Sequence, residues 1–157
     1  MTVVEESVIK YNFFLVVKSR SGTMIGKLPE NVLQALLETV PFEFSVIDAN
    51  DKVLAWNRHA TRIFKRPEAV VGRDVRNCHP KQSLAKVEQI LKEMKEGKRD
   101  KARFYIDLAL GPHKERQKVL IEYYALRDQK HQYLGCVEVS QNIAEIQKLS
   151  GEKRLLD

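Results

Sequence analysis

Three stretches late in the chain restrict its architecture more than any other feature. "ARFYIDLAL" alternates, placing Phe104, Ile106, Leu108 and Leu110 on one face. "KVLIEYYAL" sets Val119, Ile121 and Tyr123 against Leu120, Glu122 and Tyr124, and "YLGCVEVSQNI" follows after the loop "RDQKHQ". A period of two belongs to a strand with two distinct faces. Connections as short as Gly111–Lys114 and Arg127–Gln132 join antiparallel neighbours, since parallel strands need a crossover of a dozen residues or more. A meander of three long strands is therefore expected.

The earlier part of the chain supplies a hairpin and helices. In "FEFSVIDANDKVLAWN", Phe44, Val46 and Ile47 run into the turn cluster Asp48-Ala49-Asn50-Asp51, and Val53, Leu54 and Trp56 return. Ahead of it, "LPENVLQALLETVP" reads as a short helix with Val32, Leu33, Leu36 and Leu37 on its apolar face, ended by Pro41. Asn57 is expected to cap a helix in "RHATRIF". "RPEAVVG" and "RDVRNCHP" read as short helical pieces, the second cut off by Pro80. The clearest helix is "SLAKVEQILKEMKEGK", with Leu84, Val87, Leu91 and Met94 at three- and four-residue steps and Gly97 to stop it. "IAEIQKLSGEKRLLD" reads as a closing amphipathic helix.

This order predicts an α+β fold: a five-stranded antiparallel sheet with helices packed on one face. Residues 1–27 are expected to be an extension, read as an extra strand, a partner-binding segment or a leader, 28–142 the domain, and 143–157 a C-terminal helix for signalling and dimerisation. With 43% hydrophobic and 31% charged residues in 157, the chain is long and apolar enough for one globular core. No apolar run reaches the roughly 20 residues of a membrane helix. Glu5 and Glu6 stand where a signal peptide has basic residues, and Cys78 and Cys136 are too few for a disulfide framework, so a cytoplasmic protein with reduced thiols is expected. The net charge is +6, and residues 58–101 hold the whole excess, with 13 Lys and Arg against 6 Asp and Glu. Such a surplus is either a nucleic-acid footprint or a solvated helical surface. Acids are interleaved and no aromatic residues alternate with the bases, which favours the second reading.

"FSVIDANDKVLAWN", "NRHATRIFKRPEAVVGR" and "YLGCVEVSQNIAEI" resemble the first hairpin, the helical stretch and the last strand of a PAS domain, over about residues 28–157. Gln141-Asn142-Ile143-Ala144 replaces the Asp-Ile-Thr that commonly follows that strand. Asn77-Cys78-His79-Pro80, Leu126-Arg127-Asp128 and the closing Glu152–Asp157 are similar to PAS domains at the C-terminal end of bacterial and archaeal proteins that also carry a hemerythrin-like domain. The four histidines form no iron-ligand cluster, so the sensor module alone is expected. The resemblance implies a sensory module that binds a small molecule, a cofactor or a protein partner. It also implies signalling as a homodimer through terminal helices, with output through a partner or a further domain. The implied pocket lining is Val46, Trp56, Phe64, Val87, Leu91, Phe104, Ile106, Ile121, Tyr123 and Val137, unless these side chains simply fill the core.

Within "GRDVRNCHPKQS", Cys78-His79 admits several readings. Light-sensing flavin relatives place a cysteine three residues after the glycine, in "GxNCRFLQ"; here the spacing is six and the Arg-Phe-Leu-Gln is missing, so flavin is not expected. Haem ligation by His79 is possible chemically, although haem-binding relatives carry that histidine inside the long helix. Zinc lacks a ligand set, while Arg73, Arg76, His79 and Lys81 could stabilise a Cys78 thiolate for redox sensing. The favoured reading is a helix-to-helix junction. No phosphate loop, nucleophile elbow or zinc-protease motif occurs, so no enzymatic activity, catalytic residue or metal is expected.

Overall fold

A computed structural model describes residues 26–58, 62–111 and 113–155. Residues 1–25 of the expected N-terminal extension lie outside them. Helix α1 spans Glu30–Thr39, followed by the hairpin strands β1 (Glu43–Asp48) and β2 (Val53–Trp56). Short 3-10 turns at Glu68–Val70 and Val75–Cys78 lead to helix α2 (Lys81–Lys95), then to strands β3 (Lys101–Leu110), β4 (Glu115–Arg127) and β5 (Tyr133–Asn142). The strands form one antiparallel sheet in the order β2-β1-β5-β4-β3. The early hairpin thus docks on the last strand of the meander, through β1 and β5, with Glu43 opposite Ser140 and Asp48 opposite Gly135.

The α+β architecture and its five strands are as expected. Helix α2 starts behind Pro80, two residues before Ser83, and Gly97 at φ +71° lets the chain turn away after it. Its buried face is Val87, Leu91 and Met94. These pack with Val75, Val53 and Ile47 against Val119, Ile121, Tyr123 and Cys136 of the sheet. Burying this set removes apolar surface worth about 25 cal/mol per Å² from water, and it defines the inner face of the sheet.

Three expectations change. Residues 143–155 hold one 3-10 turn, Ile146–Lys148, and no α-helix. Gly151 sits at φ +65°, and Ile146 and Leu149 are exposed, so among the described residues the apolar stripe has no face to bury against and cannot offset the cost of ordering a helix. Asn57 does not cap a helix: Arg62–Phe64 are not helical, and 59–61 lie outside the described residues. Its amide instead accepts from Phe44 N at 2.8 Å and donates to Leu37 O and Phe42 O, both at 2.9 Å, tying the end of α1 to β1. Lastly, the apolar face of α1 is open, with Val32, Leu33, Leu36 and Leu37 all exposed. Among the described residues no helix is long and apolar enough to cross a membrane.

Candidate functional site

The inner face of the sheet is split in character. On β1 and β5 the residues pointing under the helices are Glu43, Ser45 and Ile47, and Cys136, Glu138 and Ser140. Four of these six inward side chains are polar, and only Ile47 and Cys136 are core residues. Val46 lies opposite Val137 on the outer face, so both leave the expected lining. The assumption that apolar strand residues face the core fails here because two arginines come down from the 62–67 segment to meet the carboxylates.

Arg66 places Nη2 at 3.1 Å from both oxygens of Glu138, with both side chains over nine-tenths buried. Glu138 also accepts from Tyr123 Oη at 2.9 Å. A buried carboxylate without partners would cost several kcal/mol; a paired one with its lone pairs filled is tolerated. Glu43 accepts the backbone N–H groups of Ile63 and Phe64 and lies 3.9 Å from Arg62 Nε. Arg62 donates from Nη1 to Asn57 O (2.7 Å), from Nε to Phe64 O (2.9 Å) and from Nη2 to Ser45 Oγ (3.2 Å). Burial pulls the Arg62 guanidinium below its ordinary pKa, and Glu43 opposes that shift. Two carboxylates thus fasten an irregular segment over the sheet. Glu43 and Arg66 carry no motif, and only their unusual place on a strand and beside a helix-like run signals them.

His79 joins the same cluster. Its Nδ1 is 2.9 Å from Val75 O and its Nε2 is 3.1 Å from Tyr123 Oη. Both ring nitrogens are engaged, so iron ligation would require breaking one contact. Burial pushes the Tyr123 hydroxyl well above its usual pKa, with the Glu138 charge adding to it, and the phenol stays protonated to donate. Cys136 is fully buried, and burial raises its thiol to about 12. Cys78 is partly buried and packs against the core. Among the described residues no group of three or more His, Cys, Asp or Glu could hold a metal ion.

Of the expected lining, Val87, Leu91, Ile121 and Tyr123 lie in the close-packed core, and Trp56 and Phe64 are half-buried against it. Phe104 and Ile106 are on the inner face of β3 but remain 37% and 36% exposed, Phe104 stacking on Tyr123 with ring centroids 6.2 Å apart. The larger of two open spaces found among the described residues is next to this core, at the end of the sheet. A cleft of about 670 Å³ is walled by Arg62, Ile63 and Lys65 on one side and Ala109, Leu110 and Gly111 on the other, and Glu43, Gln117, Ser140 and Asn142 also line it. Among the described residues Lys65 forms no ion pair. The cleft offers one cationic, hydrogen-bonding wall and one apolar wall.

Residues 33–144 match the PAS domain family. The fold matches a C-terminal domain from Streptococcus mutans at 27% identity and a TM-score of 0.70, covering 84% of this chain and 98% of that one. It also matches a PAS domain from Colwellia psychrerythraea (13% identity, TM-score 0.54, 73% and 97% covered). The PAS domain of Bordetella pertussis BvgS is similar as well (16%, 0.54, 75% and 90%). No curated protein matches the chain. With its sheet order, its helix-covered inner face and the family match over most of its length, the chain belongs to the PAS domain family.

Proposed function

We propose that this PAS domain is a sensory module that takes a small organic molecule in the cleft beside Arg62 and Lys65. The observation that carries this reading is the cleft itself: it is concave and has mixed walls, while Val87, Leu91 and Met94 of α2 pack into the apolar core. A ligand with an anionic or carbonyl head and an apolar body suits those walls, the head toward Lys65 and Arg62 and the body toward Leu110. The reading is one of binding, and no chemistry is assigned to the site.

The same geometry supplies a route for output. Arg62 donates to Asn57 O, and the Asn57 side chain holds Leu37 O at the end of α1. A ligand that draws Arg62 toward itself would loosen this tie and release α1, whose apolar face is already exposed. A partner protein or a further domain would read the helix. The basic surplus of 58–101 favours no nucleic-acid reading, because Arg62 and Arg66 turn inward. Arg76 meets Asp51, Asp74 and Glu88, and Lys95, Lys98 and Arg99 meet Asp51, Glu96 and Glu93.

Native mass spectrometry of freshly purified protein tests the proposal. A retained small-molecule adduct is expected, lost in Leu110→Trp, which fills the cleft, and weakened in Lys65→Glu. An adduct that survives both substitutions would place the ligand elsewhere.

A further inference from the structure

Strand β3 ends the sheet, and among the described residues no strand pairs with its far side. Ala125 N donates to Asp100 O at 2.9 Å, so position 100 exchanges hydrogen bonds with β4, and positions 102, 104, 106 and 108 follow by alternation. Lys101, Arg103, Tyr105, Asp107 and Ala109 then turn their backbone N–H and C=O groups outward. Among the described residues only two side chains reach this rim, Arg99 to Lys101 O and Arg116 to Asp107 O, each at a long 3.4 Å. The strand runs for ten residues without proline and pairs with β4 without a bulge. It therefore lacks most of the features that blunt natural edges. Its inner face adds the half-open apolar side chains Phe104 and Ile106, and Tyr105 is 66% exposed on the outer face.

We propose that this rim is a self-association surface: β3 pairs antiparallel with β3 of a second copy, about a two-fold axis through Tyr105. The sequence is self-complementary in that register. The outward-pointing positions fall opposite one another, Tyr105 against the second copy's Tyr105, as an exchanged pair of backbone bonds requires. On the outer face Arg103 stands opposite the second copy's Asp107, and the reverse pair repeats it. On the inner face Phe104 stands opposite the second copy's Ile106, which covers the apolar surface that α2 leaves open. Moving the axis to Arg103 or to Asp107 would set like charges face to face. Within the chain Arg103 already meets Glu122 at 2.7 Å and Asp107 meets Lys118 at 2.6 Å, so the cross-axis pairs extend an existing network of opposite charges. The inference goes beyond the ligand reading and does not depend on it, since β3 forms this surface whether or not the cleft is occupied.

The test is the solution mass of the full chain, by light scattering on a sizing column at high micromolar concentration. A mass twice the chain's 18.2 kDa is expected. Tyr105→Pro removes an outward N–H, a position where an edge strand tolerates proline, and should halve the mass. Arg103→Asp should also halve it, and adding Asp107→Arg should restore the dimer, with unfolding midpoints recorded to show that each variant is folded. A monomeric wild-type chain overturns the proposal, whether another segment or nothing occupies the rim. A dimer indifferent to both single substitutions places the interface elsewhere, for example on α1. Failure of the charge swap to restore the dimer overturns the register.

Discussion

At position 138 a carboxylate occupies a place where the inner face of a strand ordinarily takes an aliphatic side chain. Its partners explain why it is tolerated: Arg66 neutralises it and Tyr123 fills a further lone pair. Glu138→Gln leaves the buried Arg66 charge uncompensated and should cost about 3–5 kcal/mol in urea denaturation. Replacing Glu138 and Arg66 together by methionine should cost less than the sum of the single changes, a coupling that a double-mutant cycle reads directly. Gly135 is the other critical residue. It sits at φ +142° opposite Asp48, and a Cβ there would lie 2.0 Å from Ile47 O. Gly135→Ala must force β1 and β5 apart and should destabilise the domain by roughly 2–5 kcal/mol, measured in the same way.

Among the elements, the β3–β4 ladder carries the clearest electrostatic signature. Glu122 is held at about 2, down from 4.5, first by a hydrogen bond from Lys101 and then by Arg103 and Tyr124, with burial opposing. A carboxyl whose folded pKa is depressed contributes stability above its unfolded pKa and loses that contribution as pH falls toward the folded value. The domain should therefore weaken between pH 4.5 and about 2, and Glu122→Gln should flatten that part of the curve of unfolding midpoint against pH. The three meander strands were legible in the sequence because each alternates over a full strand length between short turns. The C-terminal helix fails because periodicity reports an amphipathic pattern, not whether anything lies beside it; among the described residues nothing covers Leu149. Val46 and Val137 were misplaced for a related reason. The inward direction on β1 and β5 is set by Arg62 and Arg66, whose approach is a long-range contact that no local pattern encodes.

Across the whole molecule, the family and the sheet could be read from residue order, while the site could not. Its walls come from the 62–65 segment, the end of β3 and the end of β5, which are far apart in sequence and meet only once the meander closes onto the first hairpin. The Cys78-His79 pair drew attention as a motif, and the structure gives it a joining role: His79 links Val75 to Tyr123 just before α2 begins. Its environment ties that junction to the buried Glu138–Arg66 pair, so one connected polar cluster holds the segment that forms the cationic wall of the cleft. Amide chemical-shift mapping during titration with small carboxylate-bearing aromatic compounds tests this most directly. Shifts should concentrate at Phe42–Glu43, Arg62–Lys65, Leu110–Gly111 and Ser140–Asn142, and spread to Leu37 at the end of α1. Saturable binding that shifts only residues under α2, or that leaves Arg62–Lys65 unmoved, would contradict the placement of the sensory site.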